Sequence, residues 1–290
     1  METGGQRVTA PLRCVAIAAA LASAALAAAA HDSWLSPSER PVRNGRQLLE
    51  LSTGNRYPVQ EFNPTAASLV RAQCSDGGAA PRVLRPERDQ PKFLELQAAV
   101  PRGRPALACW LEIKPFDLVM EQEKVEVYFA EIRPPQALRE AWAGMQARGV
   151  AWQESYRKFA RIELATAAAA SAQQRAAARK PVGLDLEIVV LGDAPITVGQ
   201  PLEFQVLREG RPLAGFPVEL VSERSPLGVW GETDKEGRLR HTLPFGGRWL
   251  LRGTDLRLAP QDRWSSLFVT LAIEAPAARA ATRATTSGRP

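Results

Sequence analysis

Apolar and polar residues alternate most regularly in the last third of the chain. Leu184-Asp185-Leu186-Glu187-Ile188 runs into the apolar pair Val189-Val190, and Leu202-Glu203-Phe204-Gln205-Val206 repeats the two-residue period. Segments 216–221, 228–233, 238–243, 248–252 and 266–273 continue it, separated by turn signals such as Glu209-Gly210 and Asp234-Lys235-Glu236-Gly237. Period-two segments punctuated by turns predict half-buried strands, and a set of this kind over 183–274 predicts an immunoglobulin-like or carboxypeptidase-regulatory-like β-sandwich. Shorter strand-like segments at 47–53, 67–74, 92–100, 106–114 and 125–128 predict another sandwich over 31–134, with 106–111, apolar on both faces, at its centre.

Between the two, over 135–182, the period lengthens. Leu138, Trp142, Met145, Val150, Trp152, Tyr156, Phe159 and Ile162 recur at spacings near three and four, which predicts one or two amphipathic helices around Gly149. Trp142 and Trp152 are expected to anchor those helices in a core. The stretch 165–179, rich in Ala, Gln and Arg, reads either as a helix extension or as a mobile linker. The expected fold class is therefore mainly β, with two sandwiches joined by a helical segment. Residues 275–290, made of Ala, Arg, Thr, Ser, Gly and Pro, read as a disordered tail.

The first 30 residues change the picture. Arg7 and Arg13 precede an apolar run over 14–26, and Ala27 to Ala30 supply small residues for a signal peptidase, so 1–30 reads as a secretory signal cut before His31. The protein is then expected in the periplasm or outside the cell, and no second apolar run is long enough to span a bilayer. Of three cysteines, Cys14 leaves with the signal, and Cys74 and Cys109 form one expected disulfide, contributing about 3–4 kcal/mol. A thiolate metal site or a reactive thiol fits the two remaining cysteines less well, since neither paired spacing nor a neighbouring histidine accompanies them. The 37 Lys and Arg against 31 Asp and Glu, net +6, are interleaved, which reads as a solvated surface and excludes a nucleic-acid footprint.

Cleavage before His31 would give that residue two nitrogens at once. Its α-amino group and its own Nδ1 close a six-membered chelate on a soft or borderline divalent metal. A cut one residue earlier leaves Ala30 as the terminus and removes the chelate. The second of only two histidines, His241, shares a strand face with Leu239 and Leu243. It reads either as a partly buried histidine satisfied by a neighbour or as a third nitrogen that completes a T-shaped site with His31. Oxygen ligands are available from Asp32, next to the terminus, and from Asp255 or Asp262 in a loop expected between 252 and 266. No nucleophile elbow, glycine-rich phosphate loop, His-Glu-x-x-His helix or paired Cys-x-x-Cys is present, so no enzymatic activity is expected.

His31-Asp32-Ser33-Trp34-Leu35, with Pro37 close behind, resembles the His-Asp-Phe-Trp-Leu opening of a periplasmic family of unknown function related to the NikM-like nickel-uptake domain. Glu154-Ser155-Tyr156 through Arg161 is similar to that family's E-x-Y-x-x-x-x-K/R helix, and Gly237 to Leu243 with Gly247 to Arg252 to its strand pair. Trp264-Ser265-Ser266-Leu267-Phe268 resembles its terminal W-x-S strand. The chain departs from the pattern at Gly253-Thr254-Asp255, where relatives often carry a histidine, which either leaves the metal site incomplete or puts Asp255 in place of an imidazole. The resemblance implies a metal-binding or metal-delivery protein for nickel, cobalt or copper, with a metal ion and a membrane metal transporter or another envelope protein as partners. The competing expectation is a non-catalytic interaction or structural module of the envelope that holds no metal.

Overall fold

The computed structural model describes residues 31–40, 45–78, 80–100 and 105–276. The signal expected over 1–30 and the tail beyond residue 276 lie outside the described residues. Up to the first helix, the strands are β1 (Asp32–Pro37), β2 (Arg46–Gly54), β3 (Leu69–Ser75), β4 (Arg82–Asp89), β5 (Leu94–Ala99) and β6 (Ala108–Met120). Helices α1 (Gln122–Ile132) and α2 (Gln136–Ala147) precede β7 (Trp152–Glu163) and the short α3 (Ala172–Ala178). The remaining strands are β8 (Leu186–Val190), β9 (Pro201–Arg208), β10 (Arg211–Pro212), β11 (Pro217–Ser222), β12 (Ser225–Glu232), β13 (Arg238–Thr242), β14 (Gly247–Ala259) and β15 (Arg263–Ala275).

Eleven strands form one sheet in the order β1-β2-β5-β4-β3-β6-β7-β15-β14-β11-β12, and β9 pairs with β8, β10 and β13 in a smaller one. The fold is mainly β and sandwich-like, with both cores built on one shared wall. Alternation along a strand sends successive side chains to opposite faces, so Phe159 of β7 and Val269 of β15 meet Ile188, Phe204 and Leu239 of the small sheet. On the opposite face the large sheet curls until β1 lies over β7 and β15, enclosing Leu35, Leu49, Leu96, Leu111 and Ile162. Further along that face α1 and α2 bury Tyr128, Phe129 and Trp142 against Trp152, Trp264 and Phe268. Cys74 and Cys109, directly opposed on β3 and β6, are joined by a disulfide. Among the described residues no helix is long and apolar enough to cross a membrane.

Three sequence-based assignments change. Residues 152–163, expected to be helical, are the central strand β7, which pairs antiparallel with β6 and parallel with β15. Because both faces of β7 are covered, Phe159 and Arg161 are as buried as Tyr156 and Lys158, and the two-residue period vanishes from the hydropathy pattern. The segment resembling an E-x-Y-x-x-x-x-K/R helix is therefore a strand, and it interrupts the helical segment expected over 135–182. Residues 125–128, expected to be a strand, lie in α1, whose Val125, Tyr128, Phe129 and Ile132 form one buried stripe at helical spacing. Finally, β14 and β15 run on as a hairpin to a turn at Gln261 and Asp262, both at positive φ, which places Asp255 within a strand and carries the last strand through Ala275.

Candidate functional site

Among the described residues β1 pairs with β2 alone and is nonetheless buried along its first five residues, because its other surroundings are β7 and β15. His31, at its start, is 3% exposed. Its carbonyl accepts a 2.6 Å hydrogen bond from Lys158 Nζ, its Nε2 lies 3.4 Å from Glu61 Oε2, and its ring meets Phe62 edge-on at 5.2 Å. Glu61 and Phe62 are brought there by backbone pairing with Thr53 of β2. The next residue, Asp32, accepts a 2.6 Å bond from Arg252 Nη1, and Arg252 also pairs with Glu219 at 2.6 Å. Burial works against the Arg252 charge, but the Asp32 and Glu219 carboxylates more than offset it and hold the guanidinium protonated beyond its usual range. Ser33 is pinned twice, by Thr53 through its hydroxyl and by the Thr270 hydroxyl through its carbonyl, each at 2.7 Å.

Behind β1 the polar residues of β7 continue inward. Lys158 is 5% exposed, and burial pulls its ammonium down to about 8 although the Asp32 and Glu154 carboxylates favour the charge. Glu154 accepts from Tyr128 Oη at 3.0 Å, from Trp152 Nε1 at 2.9 Å and from the Ser266 hydroxyl. Burial raises its carboxyl all the same, outweighing those three donors and Lys158. Charged side chains of β7 and β14 and hydroxyls of β15 thus line one face of the large sheet, most of them matched by a fixed partner.

The site residues expected from the sequence are divided by the large sheet. His31 and Asp32 occupy the face carrying Lys158 and Arg252. His241, on β13 of the small sheet, faces the other side against Trp249 at 6.5 Å between ring centroids. Asp255 lies on that other side too, held by Arg208 Nε at 2.6 Å and Arg257 Nε at 2.9 Å. Asp262, in the hairpin turn, pairs with Arg148 at 2.8 Å. The three-nitrogen arrangement expected of His31 and His241 is not formed, and Asp255 does not replace an imidazole near His31, because a layer of backbone stands between them. Among the described residues no three His, Cys, Asp or Glu side chains are grouped to hold a metal ion. Sequence reasoning missed Glu61, Lys158 and Arg252, which hold His31 and Asp32. The signal for Lys158 was its alternation with Glu154 and Tyr156, hidden by the helix-like apolar spacing.

His241 carries a consequence for stability. Its Nε2 is buried without a hydrogen-bond partner among the described residues, and burial lowers its pKa below 6.5. The unfolded chain then binds the proton more readily, so stability is retained at neutral pH and falls as pH drops below about 6.5. His241→Gln is expected to shrink the loss of Tm between pH 7.5 and 5.5. Equal losses in the two proteins would contradict an uncharged His241.

The family model that fits the sequence spans residues 28–254. The chain belongs to the family described as Domain of unknown function (DUF4198). The DUF4198 match takes in β1, the Lys158 strand and Arg252, and stops before Asp255 and β15. No curated protein matches the chain. Among solved structures the chain is similar to the D0-D1 domain of Intimin, at 11% identity over 83% of this chain and 97% of that one, with a TM-score of 0.20. A score that low carries no argument about fold or function.

Proposed function

We propose that this DUF4198 protein is an exported, periplasmic metal-binding or metal-delivery protein of the NikM-like kind, which takes nickel, cobalt or copper on the amine and Nδ1 of His31 once the leader is removed before that residue. One observation carries the reading. The Glu61 carboxylate, 3.4 Å from Nε2, favours the tautomer that keeps its proton on Nε2 and makes Nδ1 the basic nitrogen, as chelation requires. The Lys158 bond to the His31 carbonyl and the Phe62 ring against the imidazole fix the rest of the residue before any metal arrives. A chelate of two protein nitrogens leaves coordination positions open to an incoming ligand, which suits release to a membrane transporter better than permanent storage. The protein acts as a carrier and turns over no substrate.

The test is N-terminal sequencing of the exported protein, followed by titration with Cu(II) and Ni(II) of the wild type, His31→Ala and His241→Ala. Affinity is expected to fall at least about tenfold in His31→Ala, the equivalent of one lost ligand, and to stay unchanged in His241→Ala. Equal binding by all three proteins would overturn the metal reading and leave an envelope interaction module.

A further inference from the structure

A second feature lies beside β1. The segment after β2 and the bulged middle of β6 stand apart over β7, leaving an open groove of about 760 Å³. That is within the roughly 300–1,000 Å³ range of small-molecule sites. Its walls include Phe62, Ile113, Phe116, Val119 and Tyr156. Phe62, Phe116 and Val119 are 37%, 59% and 61% exposed, so large apolar side chains are gathered on one concavity and left in water. Phe116 and Tyr156 already pack against each other at 5.5 Å, offering two tilted ring faces.

Lys158 also lines this groove. Its ammonium has three N–H groups, of which one donates to the His31 carbonyl. The rings of Tyr156 and Phe268 lie 5.1 and 5.5 Å from Nζ, and Lys158 forms no ion pair among the described residues. The two carboxylates near enough to act on it are committed elsewhere, Asp32 to Arg252 and Glu154 to Tyr128, Trp152 and Ser266. A buried cation without a direct counter-ion is costly, and an anion that reaches it is correspondingly favoured.

From the exposed rings and the buried ammonium that forms no ion pair among the described residues, we infer that the groove binds an aromatic carboxylic acid, its carboxylate on Lys158 and its ring among Phe62, Phe116 and Tyr156. This site needs no metal and no free amine on His31, so it stands apart from the metal reading.

The test is calorimetric titration of the full chain, in the presence of a metal chelator, with 4-hydroxyphenylacetate and with 4-hydroxyphenylacetamide, its uncharged counterpart. Saturable binding of the acid is expected, with the amide at least about tenfold weaker, as for loss of one charge-assisted bond. Phe116→Ala, an exposed substitution that leaves the core intact, is expected to weaken the acid about fivefold or more. Lys158→Met is expected to abolish the preference for acid over amide. Should Lys158→Met fail to fold, the acid-to-amide ratio and Phe116→Ala decide the matter alone. No binding of the acid, equal binding of acid and amide, or an unaffected Phe116→Ala would each overturn the proposal.

Discussion

Replacing Arg161 by methionine is expected to lower the unfolding free energy by about 3–5 kcal/mol. Arg161 and Glu187 are both buried and form an ion pair between β7 and β8, at the rim of the core under the small sheet. Burial pulls the Arg161 guanidinium down and Glu187 counteracts part of that, so the pair persists because each charge answers the other. Removing one partner leaves the Glu187 carboxylate buried with only the Val182 amide, at 3.0 and 3.1 Å, to stabilise it. It also frees the carbonyls of Ala178 and Lys180, which Arg161 Nη2 reaches at 2.7 and 3.3 Å. The double variant Arg161→Met with Glu187→Leu removes both charges and is expected to lose less than the single one, about 1–3 kcal/mol, because what remains unmet is neutral backbone. Urea unfolding midpoints of the three proteins measure this. A single variant within about 1 kcal/mol of wild type would mean that water, and not Glu187, solvates Arg161 in the native state.

The same contact bears on what the sequence could disclose. Strands β9 and β13 of the small sheet were legible because each buries one face, and the two-residue period in 202–206 reports that directly. β7 was not, since it is walled on both sides, and its spacing of Trp152, Tyr156, Phe159 and Ile162 imitates a helix. The Ala-rich stretch 165–179 carries no apolar stripe, and its order comes from arginines. Arg179 binds Glu163 through two nitrogens at 2.6 and 2.9 Å, and Arg175 reaches the Asp193 carbonyl at 2.6 Å. Helix propensity alone could not choose between linker and anchored helix, and those partners decide it.

Legibility at the candidate site divides in the same way. His31 was singled out by the leader expected before it, whereas its supports carried no such signal. Lys158 lies 127 residues away in sequence and Arg252 lies 220 residues from Asp32. Contacts of that range depend on the curl that lays β1 over β7 and β15, and no local pattern encodes the curl. For the same reason the separation of His241 from His31 could not be foreseen, since only the layer order assigns them to opposite faces. Cys74 and Cys109 were readable as a pair because composition left a single choice.

Trp152→Ala is expected to cost about 3–5 kcal/mol and to loosen one end of the molecule selectively. Trp152 stacks on Trp264 at 4.6 Å and meets Trp142 of α2 and Phe129 of α1 edge-on at 5.2 and 5.6 Å, so it is the ring through which both helices grip the sheet. Its Nε1 is also one of the three donors to Glu154. With that donor gone, burial drives the Glu154 carboxyl higher still, and the variant is expected to lose more stability as pH rises through the carboxylate's range. Trp152→Phe keeps an aromatic ring and drops only the donor and the extra volume, and is expected to cost about 1–3 kcal/mol. Hydrogen exchange locates the damage. In Trp152→Ala the amides of α1 and α2 are expected to lose protection first, while Phe204 and Val206 of β9, packed on the other face of the shared wall, retain theirs. Equal loss in α2 and β9 would show that the two faces unfold as one unit, and that the helices are not a separable cover over the Glu154 and Lys158 face.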